Sequence, residues 1–314
     1  MRKLVTLTSL GIAISLGALT PAQAYDLPAV NLGFTSFLDG APPAGPGWYV
    51  QQYVQFYRDG RLQDDDGEAL RLPTPRGPEK VSAQANIGLT QLVYQSDQPL
   101  LWGGKWGLNL MLPIVDPDLD PRDNLALAAN STGLGDLLVG PFLQWDPIMG
   151  PKGPRLVNRV ELQLLLPTGK YDEDKALNPG SNFFSFNPYW AATAFLAPKW
   201  TLSWRLHYLW NAENDDTEIQ AGQAVHLNLT TAYEVLPKRL RLGLNGYYLK
   251  QFSDSKFDGR RLSDSREQVL GLGPGLVYHL SPHDHLFANL YWETHAENRP
   301  EGTRFNLRYV HHFH

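Results

Sequence analysis

The chain has 314 residues, 27 Lys and Arg against 32 Asp and Glu, a formal charge of −5, and no cysteine. An acidic balance argues against a nucleic-acid partner, and without cysteine the fold cannot rest on disulfides. Beyond the first two dozen residues no apolar run reaches the roughly 20 residues of a spanning helix, so any crossing of a membrane must be made by strands.

The N-terminus reads as a secretory signal peptide over residues 1–24. Arg2 and Lys3 precede an apolar run from Leu4 to Leu19, and Ala22-Gln23-Ala24 supplies small residues for cleavage. Thr6, Thr8, Ser9 and Ser15 interrupt the run, which ends at Pro21, so an anchor is the poorer reading. Cleavage removes two positive charges and no negative one, moving the formal charge from −5 to −7. Residues 25–47 are apolar but broken by Pro28, Pro42, Pro43 and Pro46. They read either as a flexible periplasmic leader or as a plug folded into a barrel mouth.

From residue 48 to 314 the pattern is one of strands. The clearest runs from Trp200 to Trp210: Trp200, Leu202, Trp204, Leu206, Tyr208 and Trp210 share one face, and Thr201, Ser203, Arg205, His207 and Leu209 the other. Ten steps of about 3.3 Å, tilted by about 40°, rise roughly 25 Å, the height of the lipid-facing band of a membrane barrel. A soluble sandwich also alternates, but here the apolar face carries tryptophan and the polar face guanidinium, which suits lipid outside and water inside.

Twelve such segments are expected, at about 48–58, 80–95, 104–114, 133–145, 154–167, 183–196, 199–211, 221–236, 238–252, 266–281, 284–295 and 302–313. Their connections alternate between five short Pro/Gly/Asp turns and six longer charged loops, the pattern of a barrel with both ends in the periplasm. Segments 48–58, where Tyr49, Tyr53 and Tyr57 would face inward, and 183–196, with aromatics on both faces, leave ten or fourteen strands open. The fold expected is all-β: a transmembrane antiparallel up-and-down β-barrel of about twelve strands in the outer membrane of a Gram-negative bacterium.

Asn31-Leu32-Gly33-Phe34-Thr35, Pro42-Pro43, Gly45 to Tyr49, and Thr132-Gly133-Leu134-Gly135-Asp136 leading to Gly140-Pro141 resemble an outer-membrane transporter family labelled "MetA pathway of phenol degradation", also called SphA-like. Leu165 to Tyr171 is similar to that family's strand-to-loop signature. The resemblance spans essentially the mature chain and implies uptake of hydrophobic or aromatic compounds, with no catalytic residue to carry over.

Strand phase puts Asp136, Arg159, Glu161, Arg205, His207, Glu234, Arg239, Arg241, Arg304 and Arg308 on the lumen side as candidate pore-lining residues. They would either pair across strands and hold the interior together or form a constriction that selects solute. Glu234 with Arg239 or Arg241 is the natural ion pair across a tight turn. Ser203 and His207 share a face, but four residues along a strand is roughly 13 Å, too far for nucleophile activation, and no Gly-x-Ser-x-Gly elbow occurs.

Six histidines, His279, His283, His285, His311, His312 and His314, fall near periplasmic strand ends and read as rim residues rather than metal ligands. Asp64 to Asp66 with Glu68, and Asp116, Asp118 and Asp120, read as solvated outer loops rather than calcium sites. No cofactor, metal or catalytic residue is expected, and the chain is not read as an enzyme. Expected partners are outer-membrane lipid, the barrel-assembly machinery and a small-molecule solute. The function expected is passive passage of small hydrophobic or aromatic compounds, the alternative being a structural or adhesion-type barrel without a selective pore.

Overall fold

The computed structural model describes residues 27–42, 44–74, 77–120, 128–151 and 153–313. The signal peptide expected over 1–24 lies outside the described residues. Among those described, twelve long antiparallel strands form the wall: β1 (Gly47–Leu62), β2 (Ser82–Leu101), β3 (Gly104–Asp120), β4 (Leu137–Gly150), β5 (Gly153–Glu161), β6 (Tyr189–Ala197), β7 (Trp200–Asn211), β8 (Ala224–Leu236), β9 (Leu240–Gln251), β10 (Gln268–His279), β11 (Asp284–Glu297) and β12 (Pro300–Phe313). Each pairs with the next, and β12 pairs back onto β1 from Trp48↔Phe313 to Leu62↔Pro300. Closure leaves no free edge, so every interior ladder group finds a partner without water.

The period-2 reading of β7 holds residue by residue. Thr201, Ser203, Arg205, His207 and Leu209 are buried in the interior, while Trp200, Leu206 and Tyr208 are exposed on the outer surface. Outward apolar residues continue around the wall through Leu229, Leu244, Leu272 and Phe305. Aromatic rings gather at the short-turn end of this band, where Trp48, Tyr94 and Trp106 form a chain of contacts and Trp200 meets Tyr233. This is the interfacial girdle of a membrane barrel.

Both doubtful segments are strands. β1 buries Tyr49, Tyr53 and Tyr57 in the lumen, and the second is present as Ser185–Phe186 and β6. Three expected strands are interrupted near their outer ends. Gly135 and Asp136 separate Gly133–Leu134 from β4, Leu162 and Gln163 separate β5 from Leu164–Leu166, and Asn187 and Pro188 separate Ser185–Phe186 from β6. Prolines sit at or opposite these breaks. Pro188 has no N–H to give the ladder, and Pro113 of β3 faces the break in β4, its carbonyl accepting from Gly135 N.

Two loop boundaries differ from expectation. β3 continues six residues beyond 114 because it stays in register with the long β2, so Asp116 lies opposite Asn86 and Asp120 opposite Ser82. Asp116, Asp118 and Asp120 are therefore strand residues; they follow Leu112 and Ile114 on the outward face, where apolar residues give way to acids. The loop expected at 296–301 shrinks to Asn298 and Arg299, with Asn298 at a positive φ of 51° that asparagine tolerates. Above the wall, Glu213–Asn214, Ile219–Gln220, Lys256–Phe257 and Arg260–Arg261 form a small four-stranded cap.

Candidate passage through the barrel lumen

Residues 27–42 lie inside the barrel. They have no periodic pattern, and polar side chains of the inner wall take up their backbone groups. Asn228 accepts from Gly33 N (2.7 Å) and donates to the Asn31 carbonyl (2.9 Å). Tyr291 and Asn306 both donate to the Gly33 carbonyl, Asn289 to Ser36 Oγ (3.1 Å), and Gln144 to the Gly40 carbonyl (2.8 Å). Leu27, Leu32 and Phe37 are buried among wall side chains. Gly33 has φ +76°, and a Cβ there would stand 2.7 Å from the Tyr291 ring, so the position needs glycine for both conformation and space.

The strongest tie is ionic. Asp39 receives two parallel hydrogen bonds from Arg205, at 2.8 Å from Nε and 2.7 Å from a terminal nitrogen, and the guanidinium lies 4.1 Å from the centroid of the Tyr189 ring. The fork fits a carboxylate bidentately and is worth more in this buried setting than on a surface.

The segment separates two chambers. The outer one, about 150 Å³, is bounded by Leu27 to Val30 and Phe34 on one side, by Ile87, Leu89, Met111, Val115, Leu138 and Leu165 on the wall, and by Tyr171, Lys175, Asn178 and Asn214 of the outer loops. The periplasmic one, about 840 Å³, is bounded by Phe37 to Pro42 and by Tyr49, Val93, Arg159, Phe287 and Arg308, among others. Tyr53 borders both, its ring edge-on to Phe34 at 5.8 Å.

Of the residues expected to line a pore, Asp136 borders the outer chamber, but its carboxylate is engaged by Gly169 N, Ser181 N and Ser181 Oγ, pinning the loop over residues 168–183. Arg159, Arg205, Glu234, Arg239, Arg241 and Arg308 border the periplasmic chamber. Arg241 pairs with Glu234 at 2.8 Å across the turn; Arg239 is exposed at that turn.

Glu161, His207 and Arg304 border neither chamber. Glu161 accepts from Asn109 and Tyr189, and His207 stacks on His226 with both rings against Asn187 Oδ1. Arg304 meets Glu293 (3.0 Å), Gln55 (2.8 Å) and Tyr247 (3.2 Å). These three are packed into networks in the polar interior.

Sequence reasoning missed Asp39, because a Pro-broken segment gives no phase; alternation with Leu286, Ala288, Leu290 and Trp292 puts Glu293 on the inner face of β11, but it is not among the expected pore-lining residues. Ser203 and His207 are not brought together: Ser203 Oγ bonds Thr193 and Leu38 N, and His207 is opposite His226 and Tyr189 in register. At the rim the histidines form the pairs His279–His285 (2.8 Å) and His283–His312 (3.2 Å). Among the described residues no group of three or more metal-binding side chains occurs. In the outer loops, burial raises the pKa of the Tyr171 hydroxyl, which remains a neutral hydrogen-bonding group accepting from Asn214.

A closed, even-stranded antiparallel barrel with an apolar outer band, short turns at one end and longer loops at the other is an outer-membrane protein of a Gram-negative bacterium. Its fold is that of the COG4313 outer membrane channel from Pseudomonas putida F1, with TM-score 0.73 and 22% identity over 91% of this chain and 100% of that one. The beta domain of the Bordetella autotransporter Brka aligns less well, with TM-score 0.47 and 12% identity over 85% of this chain and 100% of that one. No curated protein matches the chain. Residues 60–309 match the model of the family described as "Putative MetA-pathway of phenol degradation", and the chain belongs to that family.

Proposed function

We propose that this protein is an outer-membrane channel for passive passage of small, largely apolar solutes of about one aromatic ring, with residues 27–42 acting as an in-lumen plug that narrows the path. The outer chamber carries this reading. A water-filled pore has no use for Ile87, Leu89, Met111, Val115 and Leu138 on its inner face. About 150 Å³ is the volume of an apolar cavity that accepts benzene, and here the apolar wall offers a ring one such face while Lys175, Asn178 and Asn214 line the loop side. Tyr53 and Phe34 sit where this chamber gives way to the periplasmic one, so a solute leaving it passes aromatic faces before the arginines of the second chamber.

The test is uptake of labelled toluene and glucose by cells with and without the protein. Toluene entry is expected to depend on it and glucose entry to change little. Leu89→Asp with Met111→Asp is expected to return toluene entry to the level of cells lacking the protein while the heat-resistant barrel persists. Equal passage of glucose and toluene, or of neither, removes the reading.

A further inference from the structure

The periplasmic chamber holds more positive charge than its acids balance. Arg205 is matched by Asp39 and Arg241 by Glu234. Arg308 is 9% exposed and borders this chamber, yet its guanidinium makes no hydrogen bond or ion pair among the described residues, and its Nε is buried without a partner. Ring faces lie beside it, Phe287 at 3.7 Å from the centroid and Tyr53 at 5.8 Å, and His285 borders the same chamber. Arg159 repeats the arrangement from β5. It is 8% exposed, lies 3.9 Å from the Phe142 centroid and hydrogen-bonds the neutral Gln144, but unlike Arg308 it has the carboxylate of Glu161 near enough to interact with its charge.

A guanidinium taken out of water without a counterion is costly, and the cost is recovered when an anion with matching geometry arrives. A carboxylate accepts the planar fork with two hydrogen bonds, and a flat ring attached to it would meet Phe287, Tyr53 and Phe37. We infer that the periplasmic chamber is a binding site for an aromatic monocarboxylate, its carboxylate held by Arg308 and its ring lying against Phe287 and Tyr53. This deepens the channel reading and rests on it: of the one-ring solutes the barrel admits, those carrying a carboxylate are retained longest on the periplasmic side.

The experiment is binding of benzoate and of its neutral isostere benzamide to the purified full chain in detergent, at neutral pH. Wild type is expected to bind benzoate about 10- to 100-fold more tightly than benzamide, the range of a charged hydrogen-bonded pair. Arg308→Gln is expected to collapse that ratio toward one, and Arg308→Lys to restore part of it. Equal wild-type affinity for the two compounds overturns the site whether or not the variants fold, and so does an undiminished ratio in a folded Arg308→Gln protein. Toluene uptake by wild-type cells separates the two failures. Its presence with no benzoate preference sinks the carboxylate site alone, and its absence sinks the channel.

Discussion

The arc from β7 to β12 and the arc from β2 to β4 both turn apolar side chains outward but line the lumen differently. In the first, leucines and aromatics face lipid, and the lumen is polar, with Arg205, His226, Asn228, Asn245, Asn289 and Asn306 buried on the inner face. In the second, Ile87, Leu89, Met111 and Leu138 face inward onto the outer chamber; Leu92, Leu108, Leu112 and Ile114 face out, with Asn86, Gly88 and Thr90 of β2 a polar stretch beside them. The inward set is held in phase by polar contacts that the pattern alone does not show. Gln91 accepts from Tyr53 and donates to Asn109, both on the inner face. Most of the wall binds the N-terminal segment by hydrogen bonds, whereas the apolar arc leaves a gap beside it, and that gap is the chamber.

The largest expected effect breaks the polar arc's hold on the segment. Asp39→Ala leaves Arg205 buried without its carboxylate and should weaken docking of residues 27–42 by about 3–5 kcal/mol. Single-channel conductance is then expected to rise, and the segment should become sensitive to protease added from the periplasmic side. Unchanged conductance in a folded variant would mean that the ion pair does not hold the segment in place.

A smaller effect compares the two lipid faces directly. Leu206→Arg, on the apolar outer surface of β7, should cost about 2–4 kcal/mol in equilibrium unfolding from lipid vesicles. Thr90→Arg on β2 should cost well under that, because its surroundings outside the wall already include Gln52, with which it hydrogen-bonds at 2.8 Å. Equal costs would show that Thr90 meets the same lipid surroundings as Leu206.

The smallest effect lies outside the membrane, in the cap over the polar arc. Hydrogen bonds from Arg266 and Arg261 hold the Asp254 carboxyl below the usual carboxylate range. A depressed carboxylate stabilises the fold above its unfolded pKa and ceases to do so as pH falls through its folded value, so the window lies below roughly pH 4. Amide exchange in residues 252–267 should be insensitive to pH-linked loosening from neutral down to that point and should quicken below it. Asp254→Asn should show the loosened behaviour at neutral pH, and protection that matches wild type would remove Asp254 from the cap's stability.

Strand existence and order were legible because alternation is a local property. In β7, β8, β11 and β12 each residue's neighbours in sequence already say which face is wet, and the twelve segments and the Glu234–Arg241 pair follow. The amino-acid sequence by itself therefore determined the barrel and its strand order. Only the tertiary structure decided the rest. Asp116, Asp118 and Asp120 extend β3 because β2 offers partners 30 or more residues away, information absent from the acids themselves. Arg205 meets Asp39 across 166 residues of chain, and that contact exists because a segment without periodicity was placed inside a closed wall. Arg304 and His207, expected to line a pore, are packed into networks that border neither chamber, since a strand's phase gives direction and not distance. The outer chamber with its apolar wall and the setting of Arg308 between ring faces are likewise products of closure: they depend on which inner faces end up opposite one another, and no period along a single strand encodes that.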